Sequence, residues 1–195
     1  MKGIRILLNK MIFASYLGNI LVFTGALYAQ IADFSGERLT FTIHSQFIEM
    51  TGIYYFTNRT GQEIKLPIIY PFQVNSHQAF PDSIAVSLGN GSPLHFEIRK
   101  ESIYFSVPLL NKEQNALEIY FRQPITRPQF EYILTSTSSW QKPLEFADFT
   151  IRVPLAYRLA NLSFPYEKID TTDDFQVYHL HFENFYPEQN LIFSW

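Results

Sequence analysis

His179 and His181 lie two residues apart in Tyr178-His179-Leu180-His181-Phe182-Glu183. On an extended chain that spacing puts both imidazoles on one face, with Glu183 next in the row. Zinc takes three or four such donors in tetrahedral reach. The other histidines, His44, His77 and His95, are scattered. The same pattern is that of the polar outer face of a half-buried strand, and it is read that way here. The expectation is no metal and no cofactor, with His179 and His181 as the weak candidates for a metal. Asp170, Asp173 and Asp174 could offer oxygens to calcium. Their spacing departs from the Asp-x-Asp-x-Asp-Gly loop, and no glycine supplies its sharp turn, so they read as a solvated turn.

Nucleophilic catalysis leaves no trace. The sequence has no Gly-x-Ser-x-Gly, no Ser, His and Asp in a recognisable context, and no cysteine. Paired carboxylates of a glycosidase cannot be read from sequence, because their separation is a tertiary property. No catalytic residue is therefore expected, and the chain reads as non-enzymatic. A deep polar pocket with several convergent titratable groups would be the sign of an enzyme. A secreted hydrolase or metal-binding domain is the more distant alternative.

The elements that must position any such residues are strands. The 195 residues include 19 Phe and 12 Tyr, which suit pleated, half-buried surfaces. Leu39, Phe41 and Ile43 alternate with polar residues, as do Ile103, Phe105 and Val107, Leu117, Ile119 and Phe121, and Ala147, Phe149, Ile151 and Val153. Residues 47–72 hold two apolar runs around Asn58-Arg59-Thr60-Gly61, which predicts a β-hairpin. Pro67 and Pro71 each remove a backbone donor, so its second strand is expected to be an edge strand or to end at Pro71. Residues 84–88, 94–98 and 103–107 predict a second hairpin or a three-stranded meander. Residues 156–162 predict a short helical turn. Trp140, after a Ser/Thr run, is expected to anchor a loop onto the core.

About ten strands with almost no helix predict an all-β fold, an antiparallel sandwich of one domain over residues 30–195. The ending Leu191-Ile192-Phe193-Ser194-Trp195 leaves a small outer-membrane β-barrel as the alternative, because such barrels close with an alternating, aromatic-tipped strand.

Residues 1–29 read as a signal peptide. Lys2, Arg5 and Lys10 precede an apolar run, and cleavage is expected after Ala26 or Ala29. Its removal leaves 12 Lys+Arg against 18 Asp+Glu, a formal charge of −6. No basic cluster exists for a nucleic-acid partner. An exported protein of the periplasm or cell surface is expected, with membrane contact only if the barrel alternative holds.

Gly52 to Phe72, with Tyr-Tyr-Phe-Thr-Asn-Arg-Thr-Gly and Tyr70-Pro71-Phe72, resembles the opening of exported bacterial β-sandwich domains of unknown function. It is also similar to the vault/inter-alpha-trypsin type of domain. Residues 131–154, with Trp140, Pro143-Leu144 and the strand to Pro154, look like a later part of the same bacterial group. The resemblance implies an immunoglobulin-like envelope domain, carries no catalytic residue, and implies another envelope protein as partner.

Overall fold

The computed structural model describes residues 31–111 and 114–195. The expected export signal over 1–29 lies outside them. Among the described residues thirteen strands run in chain order: β1 (Ala32–Ile43), β2 (Phe47–Asn58), β3 (Ile64–Pro71), β4 (Ser83–Leu88), β5 (Glu97–Arg99), β6 (Ser102–Leu109), β7 (Gln114–Pro124), β8 (Gln129–Tyr132), β9 (Leu144–Pro154), β10 (Asn161–Leu162), β11 (Lys168–Thr171), β12 (Phe175–Phe185) and β13 (Leu191–Ser194). A 3-10 segment, Thr135–Trp140, links β8 to β9. No helix among the described residues is long and apolar enough to cross a membrane.

The strands form a seven-stranded sheet, β11-β12-β9-β1-β2-β7-β4, and two three-stranded sheets, β10-β13-β8 and β3-β6-β5. The period-two pattern explains how they face. In β2, Ile48, Met50, Tyr54 and Phe56 are buried while their neighbours are half-buried or exposed. That inner face is covered by the two small sheets. Phe41 of β1 meets Phe130 and Tyr132 of β8 and Phe193 of β13, with ring centroids 5.3–6.0 Å apart. Phe72, just past β3, meets Phe121 of β7 edge-on at 5.3 Å. Each fully buried ring of this kind stabilises the fold by roughly 1.5–3 kcal/mol.

Several expectations are corrected. Residues 47–72 are not a hairpin. β2 pairs with β1 and β7, while β3 pairs with β6 in another sheet. The Asn58 corner carries the chain between layers. The side chain of Asn58, 1% exposed, donates to the carbonyls of Gln62 and Leu109 at 2.6 and 3.0 Å and accepts from the Thr60 N–H at 2.9 Å. The hairpin partner of β2 is β1, through a short turn in which the His44 N–H donates to the Phe47 carbonyl. The meander also fails: β5 and β6 form a hairpin, but β4 pairs with β7. The sandwich is not wholly antiparallel, because β1 and β9 run parallel over Gly36 to Thr42. Residues 156–162 form no helical turn and end in β10.

β3 is an edge strand ending at Pro71, where missing donors cost no ladder bond on the open side. The C-terminal strand β13 is the middle of an open three-stranded sheet, with Leu191 and Phe193 fully buried in the core. Among the described residues no sheet closes on itself as the barrel alternative requires.

Candidate ligand site between the sheets

β1 starts with an irregularity that places an acid in the core. Phe34 pairs with Phe56 but Gly36 pairs with Tyr55, so Ser35 is an extra residue in the ladder. A bulge of this kind re-aims side chains. Beyond it Glu37 joins Leu39, Phe41 and Ile43 on the inner face. Glu37 is 1% exposed, and its Oε1 has no hydrogen-bond partner. Burial pushes its carboxyl up to about 8. Burial favours its protonated form, because an unpaired carboxylate out of water is costly.

Three tyrosines meet beside it, one from each sheet: Tyr54 of β2, Tyr70 of β3 and Tyr132 of β8. Their hydroxyls form a closed triangle of 2.9 Å (Tyr54–Tyr70), 2.8 Å (Tyr54–Tyr132) and 2.9 Å (Tyr70–Tyr132). Each hydroxyl can donate once and accept once around the ring, so all three are satisfied without water. Burial holds all three phenols above their ordinary range, and nearby Glu37 pushes the same way. Gly52 makes room for the triangle. A Cβ there would lie 2.7 Å from the Tyr54 hydroxyl and 2.9 Å from Leu39.

Above this group lies a cavity of about 1270 Å³. Its floor is Phe34, Glu37, Tyr54, Phe56, Leu117 and Ile119 of the large sheet. Ile68, Tyr70 and Phe105 form one wall, and Tyr132 with residues 136–141 the other. The volume exceeds the ~300–1,000 Å³ of ordinary ligand sites. Trp140 closes the second wall, with its ring 5.8 Å from Phe34 and 5.7 Å from Phe56. Two polar anchors hold that wall. Asp33 pairs with Arg59 and with Lys142. The Asn190 side chain accepts from the N–H groups of Leu134 and Thr135 and donates to Glu131. Trp140 thus anchors its loop, as expected, and also lines the cavity. At the rim, Arg99 donates to Glu97 at 2.6 Å, near His95.

His179 and His181 sit elsewhere, on the outer face of β12. His179 Nε2 pairs with Asp170 of β11 at 3.1 Å, and His181 Nδ1 with Asp148 of β9 at 2.6 Å. The two rings lean to opposite neighbours. Asp148 also takes Arg38 Nε at 3.1 Å, and its hydrogen bond raises the His181 pKa. Among the described residues no group of three or more His, Cys, Asp or Glu is placed to hold a metal. Asp170 lies within β11, while Asp173 and Asp174 are exposed in the turn that follows.

The cavity is lined mostly by aromatic and aliphatic side chains, and most of its polar groups are engaged with one another or with backbone. The phenols bond one another. Ser138 and Ser139 donate to backbone carbonyls at 2.7 and 2.8 Å instead of to a base. Glu37 faces the cavity without an oriented partner. Such a set can hold a ligand; proton transfer or attack needs a second positioned group.

No protein-family model matches the sequence, and no curated protein matches it. Solved structures do match the fold. A Legionella pneumophila protein described as nutrient binding superposes with a TM-score of 0.63 at 12% identity, over 83% of this chain and 66% of that one. The M1 zinc metallopeptidase of Deinococcus radiodurans superposes with a TM-score of 0.52 at 13% identity, over 85% of this chain and 42% of that one. A single-site mutant of that peptidase gives 0.53 at 12% identity. The chain thus spans less than two thirds of these neighbours. The sequence contains no His-Glu-x-x-His, the helical zinc motif of many metallopeptidases. At such identities the likeness is one of fold.

Proposed function

We propose that this chain is an exported, non-enzymatic sandwich module that houses a small, largely apolar molecule between its sheets. The observation that carries the reading is a large aromatic cavity whose floor holds a buried, unpartnered carboxyl. Buried polar groups are hydrogen-bonded as a rule, and an exception inside a cavity points to an occupant. The nutrient-binding description of the Legionella pneumophila protein supports a binding role for the shared fold. The immunoglobulin-like sandwich and the likeness to exported bacterial domains belong to the same proposal, in a variant with one parallel pair. The basic-then-apolar residues 1–29 support export.

The test is a fluorescence titration with the neutral dye N-phenyl-1-naphthylamine. The proposal expects saturable binding of one dye per chain. Ile68→Trp, which fills the cavity from its half-buried wall, is expected to abolish it. Failure of the native protein to bind, or equal binding by the variant, overturns the reading.

Contact with another envelope protein is a second reading. It is favoured by Ile98, 58% exposed on the edge strand β5. A cross-linked partner that disappears with Ile98→Lys would favour it.

A further inference from the structure

We infer that the molecule held in this cavity carries a cationic nitrogen that seats against Glu37, with an apolar body packed among the surrounding rings. The inference rests on the ligand-binding reading and adds the chemical class.

Glu37 Oε1 is fully buried, lines the cavity and accepts no hydrogen bond. A buried carboxyl needs either a proton or a paired cation. No cationic side chain of the described residues supplies the pair. Arg99, at the cavity rim, is engaged with Glu97, and Lys142 and Arg59 are engaged with Asp33. Phe34, Tyr54, Phe56, Tyr70 and Trp140 line the same space. Their π-faces attract cations, most strongly for Trp and where water is excluded. An acid surrounded by rings therefore suits an alkyl- or aryl-ammonium group. An anion would meet both the carboxyl and the rings unfavourably. A neutral acceptor could take the Glu37 proton and pack against the rings, but it would gain no cation–π attraction from them.

Seating the cation converts Glu37 from acid to carboxylate, and the released proton goes to solvent. Affinity is then linked to pH. The groups facing Glu37 are Tyr54 on β2, Tyr70 on β3 and Tyr132 on β8, while its β9 neighbour is Ala147. The phenols are held above their ordinary range and keep their protons through neutral pH. At the rim lie His95, Glu97, Arg99 and Tyr104. His95 is the imidazole nearest the site, so His95→Gln is the control.

The probes are phenyltrimethylammonium and its uncharged isostere tert-butylbenzene, each competing against N-phenyl-1-naphthylamine. With Glu37 titrating at about 8, affinity for the cation is expected to rise about two orders of magnitude from pH 6 to pH 9. Affinity for the isostere stays flat. Glu37→Gln, with its own dye affinity as the reference, is expected to remove the pH dependence and reduce cation affinity to that of the isostere. His95→Gln is expected to leave the profile unchanged. If Glu37→Gln does not fold, the native pH profile and the variant Glu37→Met decide in its place. Dye binding with no preference for the cation at pH 9 overturns the cationic class and leaves the cavity reading intact. A profile abolished by His95→Gln also overturns it. Absence of dye binding overturns both.

Discussion

Glu37 and Tyr54 stand opposite each other across the β1–β2 ladder, both buried, yet only Tyr54 has hydrogen-bond partners. The phenol is locked by two others, while the acid faces open space. This asymmetry separates scaffold from site. The tyrosine triangle ties three sheets at one point, and Glu37 beside it is left for something that enters the cavity.

The unpaired acid makes stability depend on pH. Glu37 is raised from its ordinary 4.5 to about 8 in the folded protein. Between those values the folded state holds a proton that the unfolded chain has lost. The added stability is thus full below 4.5 and disappears as pH rises through about 8. The full change is about 5 kcal/mol. Urea midpoints should fall from pH 5 to pH 9 in the native protein and much less in Glu37→Gln. Parallel slopes for the two proteins would show that another group is responsible.

Removing one corner of the triangle should be felt in proportion to the bonds lost. Tyr132→Phe leaves Tyr54 and Tyr70 bonded to each other and should cost about 1–2 kcal/mol in denaturant unfolding. Tyr54→Phe and Tyr132→Phe together should cost less than their separate effects added, because both act on one network. Strict additivity would mean that the three hydroxyls act independently.

Gly52 should not accept a side chain. A Cβ would lie 2.7 Å from the Tyr54 hydroxyl and 2.8 Å from its ring. Gly52→Ala should destabilise by about 1–3 kcal/mol through overpacking, despite the better strand propensity of alanine. It should also alter dye binding, because Tyr54 lines the cavity. A neutral or stabilising effect would mean that Tyr54 has another place to go.

Much of the strand content was legible in the sequence, because alternation at period two reports burial directly: Phe41, Ile119, Phe149 and Phe193 all point inward. Glu37 shares that period with Leu39, Phe41 and Ile43, and this was the available signal for the site. A charged residue at the start of a strand instead suggests a solvated end. Pairing was less legible. Residues 58–61 have the composition of a hairpin turn, but Asn58 spends its amide on Leu109, 51 positions away. Nothing local distinguishes a turn within a sheet from a corner between sheets. The tyrosine triangle joins residues 16 to 78 positions apart, and the parallel β1–β9 pair joins residues about 110 apart. His179 and His181 share a strand face, as their spacing required, but each takes a carboxylate from a different neighbouring strand.

The outer-face histidine should report its carboxylate. His181 is raised above its ordinary value chiefly by the Asp148 hydrogen bond. Any stability it lends is present at low pH and lost as pH rises through its folded pKa. In Asp148→Asn, nuclear magnetic resonance titration should show the His181 ring moving down toward 6.5, the ordinary value. A His181 midpoint that does not move would mean that another group holds it up.

The most direct test follows the Glu37 carboxyl itself. Its side-chain carbon resonance, assigned by loss in Glu37→Gln, can be titrated in carbon-13-labelled protein with and without N-phenyl-1-naphthylamine. The account requires a midpoint near 8 in the free protein and a displaced resonance when the dye fills the cavity. A midpoint near the ordinary 4.5, or a resonance indifferent to bound dye, would contradict it.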